Sequence, residues 1–355
     1  MKKMKSIVAL ITMTLALGTN VSAEELTRKN PLPDHSFLHL AARSNNYIGN
    51  KELITYQAVP VKMLNQSDAQ ELLGRIMKSS RENNSSFEKV QQLTGRFIFT
   101  SANDPSAVFD IDQKNGSFLL NFGLGKYAAE ESTSDLPSVQ AAPELARKYL
   151  SETGNMPKKS KEMLVAHVGG LDMSVSKEGK STGAYKKLVT VQFSRKLNGL
   201  PVQGPGSRIV MHLGENGNLT GMIRNWPEVE ARKIQPAELK SNELIRKDIQ
   251  NQLCALAGHS EKNTAQKSTL VLFDDGRGVI EPALFVTANA LYQGPNNREV
   301  IEIPVDFYVP LLRKPKAYYP FMQSLDSKIP GIDKQQKPSE TILFPKTGEG
   351  QSDMR

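Results

Sequence analysis

The sequence predicts an α+β protein built of serial units, each one amphipathic helix packed on an antiparallel β-meander. Apolar residues recur at helical spacing in three separate stretches, and each stretch is followed by short runs alternating apolar and polar residues. Asn-Gly and Asp-Gly pairs stand between several of those runs, where both positions of a tight hairpin need a positive φ. The order, helix then strands, repeats three times, and helices covering one face of antiparallel sheets is the layer arrangement such an order favours.

The first unit spans residues 56–130. Ser67-Asp68-Ala69-Gln70 has the form of a capping box, and Leu72, Leu73, Ile76 and Met77 share a helical face. Strands are predicted at Arg96–Ser101, Ala107–Asp112 and Phe118–Phe122, with Lys114-Asn115-Gly116 turning the last pair. The second unit, 131–232, opens with Asp135 as a cap. Its helix carries Val139, Leu145, Ala146, Tyr149 and Leu150 and stops at Gly154 and Pro157. Strands follow at Met163–Val168, Leu188–Arg195, Arg208–Leu213 and Leu219–Arg224. The third unit, 233–321, starts a helix at Pro236, with Leu239, Ile245, Ile249, Leu253 and Leu256 on one face. Its strands are Thr269–Phe273, Val279–Tyr292 and Val300–Val309, the first two joined by Asp274-Asp275-Gly276-Arg277-Gly278. Residues 24–55 read as an extended N-terminal segment and 322–355, rich in Lys, Pro, Gln and Ser, as a disordered tail.

Lys2, Lys3 and Lys5 precede an apolar run from Ile7 to Leu17 that ends in Val21-Ser22-Ala23, the pattern of a secretory signal over residues 1–23 cut after Ala23. The run is far shorter than the roughly 20 residues a membrane-spanning helix needs. Export to the periplasm or the extracellular space is the expected localisation, with no transmembrane segment in the mature chain. A lipoprotein would carry Cys where Glu24 stands. Removing three lysines lowers the formal charge from +8 to +8 − 3 = +5. The short basic runs, Lys158-Lys159-Ser160-Lys161 and Arg313-Lys314-Pro315-Lys316, contain no aromatics, which argues against a nucleic-acid partner. Cys254 is the only cysteine, so no intramolecular disulfide forms and the fold rests on its apolar core.

Residues 195–221 carry the most patterned stretch, RKLNGLPVQGPGSRIVMHLGENGNLTG. A strand turns at Asn198-Gly199, runs through Leu200-Pro201-Val202-Gln203, and meets a Gly204-Pro205-Gly206 corner where two glycines give the backbone room. The next strand starts at Arg208 and closes at Asn216-Gly217. Taken on Asn198, Gly199, Pro201, Val202, Gly204, Leu213, Asn216 and Gly217, the stretch resembles the propeptides of secreted thermolysin-like and fungalysin-like metalloproteases and the related PepSY domains. The resemblance extends loosely over 137–310, and Glu302–Pro310, with Asp306, is similar to the family's closing strand. It implies a PepSY/cystatin-like fold and a chaperone, inhibitor or modulator of a protease. The protease itself is missing from the sequence: His35 and His39 have a four-residue spacing, but Ser36 stands where a zinc protease needs glutamate.

Other chemistry fares no better. Asp110-Ile111-Asp112-Gln113-Lys114-Asn115-Gly116 puts Lys114 at the third ligand position of a calcium loop and its glycine one residue late. Ser207 begins a strand and is not a nucleophile elbow. His212 takes a solvent-facing strand position by alternation. No catalytic residue, cofactor or metal site is predicted. The expected function is an exported, non-enzymatic binding or modulator protein whose partner is a secreted protease or another envelope protein. The expected contact region is Asn198, Gly199, Pro201, Gly204, Gly206, Arg208 and Trp226, since tryptophan is enriched at interface hot spots. The competing expectations are an enzyme whose site is assembled from dispersed residues between units, and a structural surface protein. Mass spectrometry of the protein recovered outside the cytoplasm is expected to give an N-terminus at Glu24; an intact Met1 there overturns the signal reading.

Overall fold

Strand pairing organises this chain more than helix packing does. The computed structural model describes residues 52–80, 86–129, 131–177, 180–257, 262–293 and 300–319. Residues 1–23, where the sequence predicts a signal, most of 24–55, and 322–355, where it predicts a disordered tail, lie outside the described residues. Fourteen strands are described: β1 (Ile54–Ala58), β2 (Lys89–Leu93), β3 (Arg96–Thr100), β4 (Val108–Asp112), β5 (Phe118–Asn121), β6 (Met163–Lys177), β7 (Lys180–Leu197), β8 (Leu200–Gln203), β9 (Arg208–Leu213), β10 (Leu219–Asn225), β11 (Val229–Lys233), β12 (Lys262–Asp274), β13 (Val279–Gln293) and β14 (Val300–Pro310). Among the described residues the α-helices are α1 (Gln66–Ser79), α2 (Ala142–Glu152) and α3 (Asn242–Ala257).

No helix starts where the sequence places its cap. At α1 the reciprocal box is Asn65 with Asp68: the Asp68 N–H donates to Asn65 Oδ1 at 2.9 Å, and the Asn65 N–H to Asp68 Oδ2 at 3.1 Å. At α2, Asp135 sits in a turn with φ 50°, and Ser138 Oγ instead accepts the Ala141 N–H at 3.1 Å. Val139 is left exposed ahead of the helix. Pro236 opens only a 3-10 turn, Pro236–Glu238, and α3 begins after Ser241, whose Oγ accepts the Leu244 N–H at 3.3 Å.

The strands merge into one mixed sheet in the order β11-β1-β13-β12-β8-β7-β9-β10-β5-β4-β3-β2, with β14 on β13 and β6 on β7. This overturns the expectation of serial helix-on-meander modules. β5 pairs β10 from Gly221↔Asn121 to Arg224↔Phe118, so strands assigned to two separate units are neighbours. β1 lies between β13 and β11, pairing residues more than 170 positions away in sequence. The physical reason is that a free meander leaves two rows of unpaired backbone groups, and joining edges satisfies them. Periodicity in sequence shows that a strand exists and says nothing about its partner.

One apolar cluster lies under α1 and α2. It gathers Ala69, Leu73 and Ile76 of the first helix and Ala146, Tyr149 and Leu150 of the second against a ladder of Phe97, Phe99, Phe109 and Phe118. Successive rings of that ladder stand 6.4, 5.6 and 5.6 Å apart, the spacing at which tilted aromatic pairs attract. A second cluster sits between α3 (Ile245, Ile249, Leu253) and β12–β14 (Leu270, Leu284, Val286, Phe307, Val309). A third, with Leu197, Val202, Leu272 and Ile280, surrounds β8.

β8 is the narrow waist of the sheet. It pairs β7 antiparallel through Lys196↔Pro201 and Leu197↔Leu200, and β12 in parallel through Leu272↔Val202 and Phe273↔Gln203. Beside it a buried cation closes the core. Arg195 is 1% exposed; its Nε and Nη2 donate to Glu162 Oε2 at 2.7 and 2.6 Å, and its Nη1 donates to the Pro227 carbonyl at 2.7 Å. The guanidinium lies 5.2 Å from the Trp226 ring centroid. Removing one partner of such a pair leaves a buried charge unmatched, so Glu162→Ala is expected to cost about 3 kcal/mol in urea denaturation. Replacing both, Glu162→Leu with Arg195→Met, should recover most of that loss; a double variant as unstable as the single one overturns this account.

Candidate functional site

The Gly-Pro-Gly corner after β8 is shaped by one buried carboxylate. Asp274, 1% exposed at the end of β12, accepts the Ser207 hydroxyl at 2.6 Å and the Gly276 N–H at 2.8 Å. Its own carbonyl accepts the Gly206 N–H at 3.2 Å. A Cβ on Gly206 would stand 2.1 Å from Asp274 Oδ1, and one on Gly204, whose φ is 107°, 2.4 Å from the Asp274 carbonyl oxygen. Glycine is therefore required at both positions for close approach of the 274–278 turn. Burial pushes the Asp274 carboxyl above the usual range, and the hydrogen bonds from Ser207 and Gly276 pull the other way.

Against the corner lies a pocket of about 270 Å³. Gly204 and Pro205 form one side and Phe273, Tyr308 and Tyr319 another, with Tyr318, Asp275, Asp306 and Phe307 completing the lining. Register explains the grouping. Phe273↔Glu281, Phe285↔Tyr308 and Thr287↔Asp306 are cross-strand pairs, so these side chains share the sheet face opposite α3. The Phe273 ring stacks on Tyr319 at 4.5 Å and meets Tyr308 at 4.7 Å, and Phe285 meets Tyr308 at 5.1 Å.

Two further carboxylates hold the chain after β14 across this face. Buried Glu281 accepts the N–H groups of Lys316 (2.9 and 3.1 Å) and Ala317 (3.2 Å), and Asp275 Oδ2 accepts the Tyr318 N–H at 2.8 Å. Burial raises the Glu281 pKa, opposed by those same backbone donors. Tyr319 is 5% exposed, its hydroxyl has no hydrogen-bond partner among the described residues, and burial pushes its pKa far up. Asp306, at the pocket mouth, has no hydrogen bond or ion pair among the described residues, and partial burial raises its pKa. The Arg277 guanidinium lies 4.7 Å from the Tyr318 ring centroid.

The residues named from sequence scatter around this pocket. Asn198 and Gly199, with φ of 46° and 79°, make the exposed two-residue turn between β7 and β8, and Pro201 is exposed beside it. Gly204 lines the pocket, and Gly206 is buried behind it against Asp274. Arg208 is half-buried on β9 with its Nε lacking a partner among the described residues. Trp226 is 2% exposed beneath Arg195, which makes its ring a core element and removes it as a surface contact.

No family model and no curated protein matches this sequence. Among solved structures, the chain is similar to an uncharacterized protein from Eubacterium rectale, at 12% identity and a TM-score of 0.43 over 74% of this chain and 84% of that one. It is also similar to the Bacillus megaterium YpeB C-terminal domain, at 11% identity and a TM-score of 0.32 over 68% and 99% respectively. Neither likeness assigns the chain to a family.

The remaining motifs resolve locally. Asp112 Oδ1 accepts the Lys114 and Asn115 N–H groups at 2.8 and 3.2 Å, and Asp110 pairs with Arg96 at 2.7 Å, so the Asp-Ile-Asp run shapes a hairpin turn. His212 is half-buried on the face of β9 opposite the core, the face that alternation gives it, with Nδ1 3.1 Å from Thr190 Oγ1, and desolvation there lowers its pKa. Among the described residues, no group of three or more His, Cys, Asp and Glu side chains is placed to hold a metal ion. No described helix is long and apolar enough to cross a membrane. His35, His39 and His259 lie outside the described residues.

Sequence reading missed Phe273, Asp275, Tyr308, Tyr318 and Tyr319, and singled out Asp306 only through the resemblance. The one local signal was the Tyr318-Tyr319 doublet just past the last strand, too bulky and apolar for a loop with nothing to cover.

Asp274 has a folded pKa above its ordinary 3.8, so the folded state holds this proton more tightly than the unfolded chain does. Its contribution to stability is full below the unfolded value and is lost as pH rises through the raised folded one. Asp274→Asn keeps an acceptor for Gly276 and supplies a donor to Ser207 while removing the charge. In urea melts over roughly pH 3–7, the stability of wild type minus that of Asp274→Asn is expected to fall with rising pH; a flat or rising difference contradicts the assignment.

Proposed function

We propose that the chain is an exported, non-enzymatic binding protein that takes an extended polypeptide, such as a segment of a secreted protease or another envelope protein, along β14 and across the aromatic pocket. The observation that carries this reading is the pocket's position next to an open strand. Among the described residues β14 pairs only with β13, so its outer edge offers unpaired N–H and C=O groups to an added strand. Pro304 and Pro310 interrupt donation at the two ends and leave Val305–Val309 as the stretch able to pair. Asp306, Phe307 and Tyr308, three of those five residues, also line the pocket.

An added strand turns alternate side chains to each face of the sheet. One set would lie over the face that holds Tyr308 and Asp306, so a single side chain could enter the pocket while main-chain bonds supply register. The PepSY and propeptide resemblance over 198–217 supports the same class of activity, because it implies modules that bind and modulate another polypeptide. The Gly204-Pro205 corner carried by that motif forms one pocket wall, so the patterned stretch and the site meet there. Residues 24–355, panned against a random dodecapeptide phage library, are expected to enrich a related set of peptides. Tyr308→Ala with Pro205→Ser should lose them while keeping the far-UV circular dichroism of wild type. No enrichment, or full retention by the double variant, overturns the reading.

A further inference from the structure

We propose that the pocket selects a cationic side chain, lysine or arginine, from the extended polypeptide; the inference rests on the polypeptide-binding reading and names what that site recognises. At about 270 Å³ the pocket is just below the roughly 300–1,000 Å³ of small-molecule sites, a size suited to one long side chain. Its walls are aromatic faces and edges from Phe273, Tyr308 and Tyr319, which take the aliphatic stem of such a side chain. Its charged groups are both carboxylates. Asp275 is engaged in holding the Arg277 and Tyr318 N–H groups, each at 2.8 Å, while Asp306 has no partner among the described residues.

Three classes of occupant can be compared. An acidic side chain would face two carboxylates and no cation within the lining. A neutral apolar side chain would cover the rings equally well but would desolvate the Asp306 carboxylate with nothing to pair it, a costly arrangement. A cationic side chain satisfies both features of the lining: its charge meets Asp306, and its stem and head lie against aromatic rings. The Arg277 guanidinium, 4.7 Å from the Tyr318 centroid, shows a ring of this same wall already supporting a cation.

The test uses peptides recovered on the wild-type chain. Lysine or arginine is expected at one fixed position of the enriched set. A synthetic peptide of that sequence should bind about tenfold more tightly than its counterpart carrying norleucine or citrulline there. On Asp306→Asn that ratio should fall to about one, and on Asp306→Glu it should persist. Asp306 is exposed and unpaired, so neither substitution threatens folding, which circular dichroism checks. Comparing the lysine and arginine peptides separates the two head groups. Equal binding of the neutral peptide to wild type, or a ratio unchanged in Asp306→Asn, overturns the inference and leaves polypeptide binding standing. A library that enriches nothing removes both.

Discussion

The sheet holds together at β8, a strand of four residues with two pairs on each side, and everything distal to it depends on that waist. Backbone bonds alone are a weak clamp, since each contributes on the order of 1 kcal/mol net. Apolar burial is the larger effect: Leu197, Val202, Leu272 and Ile280 are all nearly inaccessible around the waist, at roughly 1.5–3 kcal/mol for each such side chain. The hydrogen bonds therefore set register while the apolar contacts supply the stability. Parallel pairing with β12 then forces the chain to turn sharply after Gln203. That turn is possible because Gly204 and Gly206 bring the backbone against Asp274 with no Cβ in the way.

Carboxylates, buried at Asp274 and Glu281 and half-buried at Asp275, recur as the means by which loops are fixed to this framework. Asp274 fixes the corner, Glu281 fixes residues 316 and 317, and Asp275 fixes Tyr318. Each accepts backbone or hydroxyl donors in place of a cation, so each carboxylate orders a segment that has no regular structure of its own. Arg195 and Glu162 serve the same end with an ion pair, because the Pro227 carbonyl held by Arg195 starts the connection from β10 to β11. The pocket is a product of these fixations: with the corner held on one side and residues 316–319 on the other, the rings between them have only one face left to share.

Local features of this architecture were legible in the sequence, and global ones were not. β9 falls on Arg208–Leu213 as read, because strict alternation of Ile209, Met211 and Leu213 leaves one reading. β7 was read from Leu188, yet it begins at Lys180, since its first half pairs only with β6 and carries no buried stripe to reveal it. Strands β1, β2, β8 and β11 were missed for a related reason: they are four or five residues long and are defined by their neighbours more than by their own pattern. The pocket was half legible. Its Gly204-Pro205 side is a turn signature, whereas the aromatic side unites residues 273, 308 and 319, which no spacing rule connects.

A basic chain with an acid-lined pocket poses an electrostatic question of its own. The formal charge is +8 over the full sequence and +5 without residues 1–23, a field that opposes the approach of cations. At physiological salt, screening shortens that field to a Debye length of about 8 Å, so lysines farther away than that contribute little at the pocket. Within contact range the nearest uncompensated charge governs, and in this pocket it is the Asp306 carboxylate beside the Tyr308 ring. The long-range field then lowers the encounter rate with free small cations, while a polypeptide bound as proposed along β14 would deliver its side chain at high local concentration. The net charge and the pocket charge thus act at different distances, and together they favour a tethered cation over a free one.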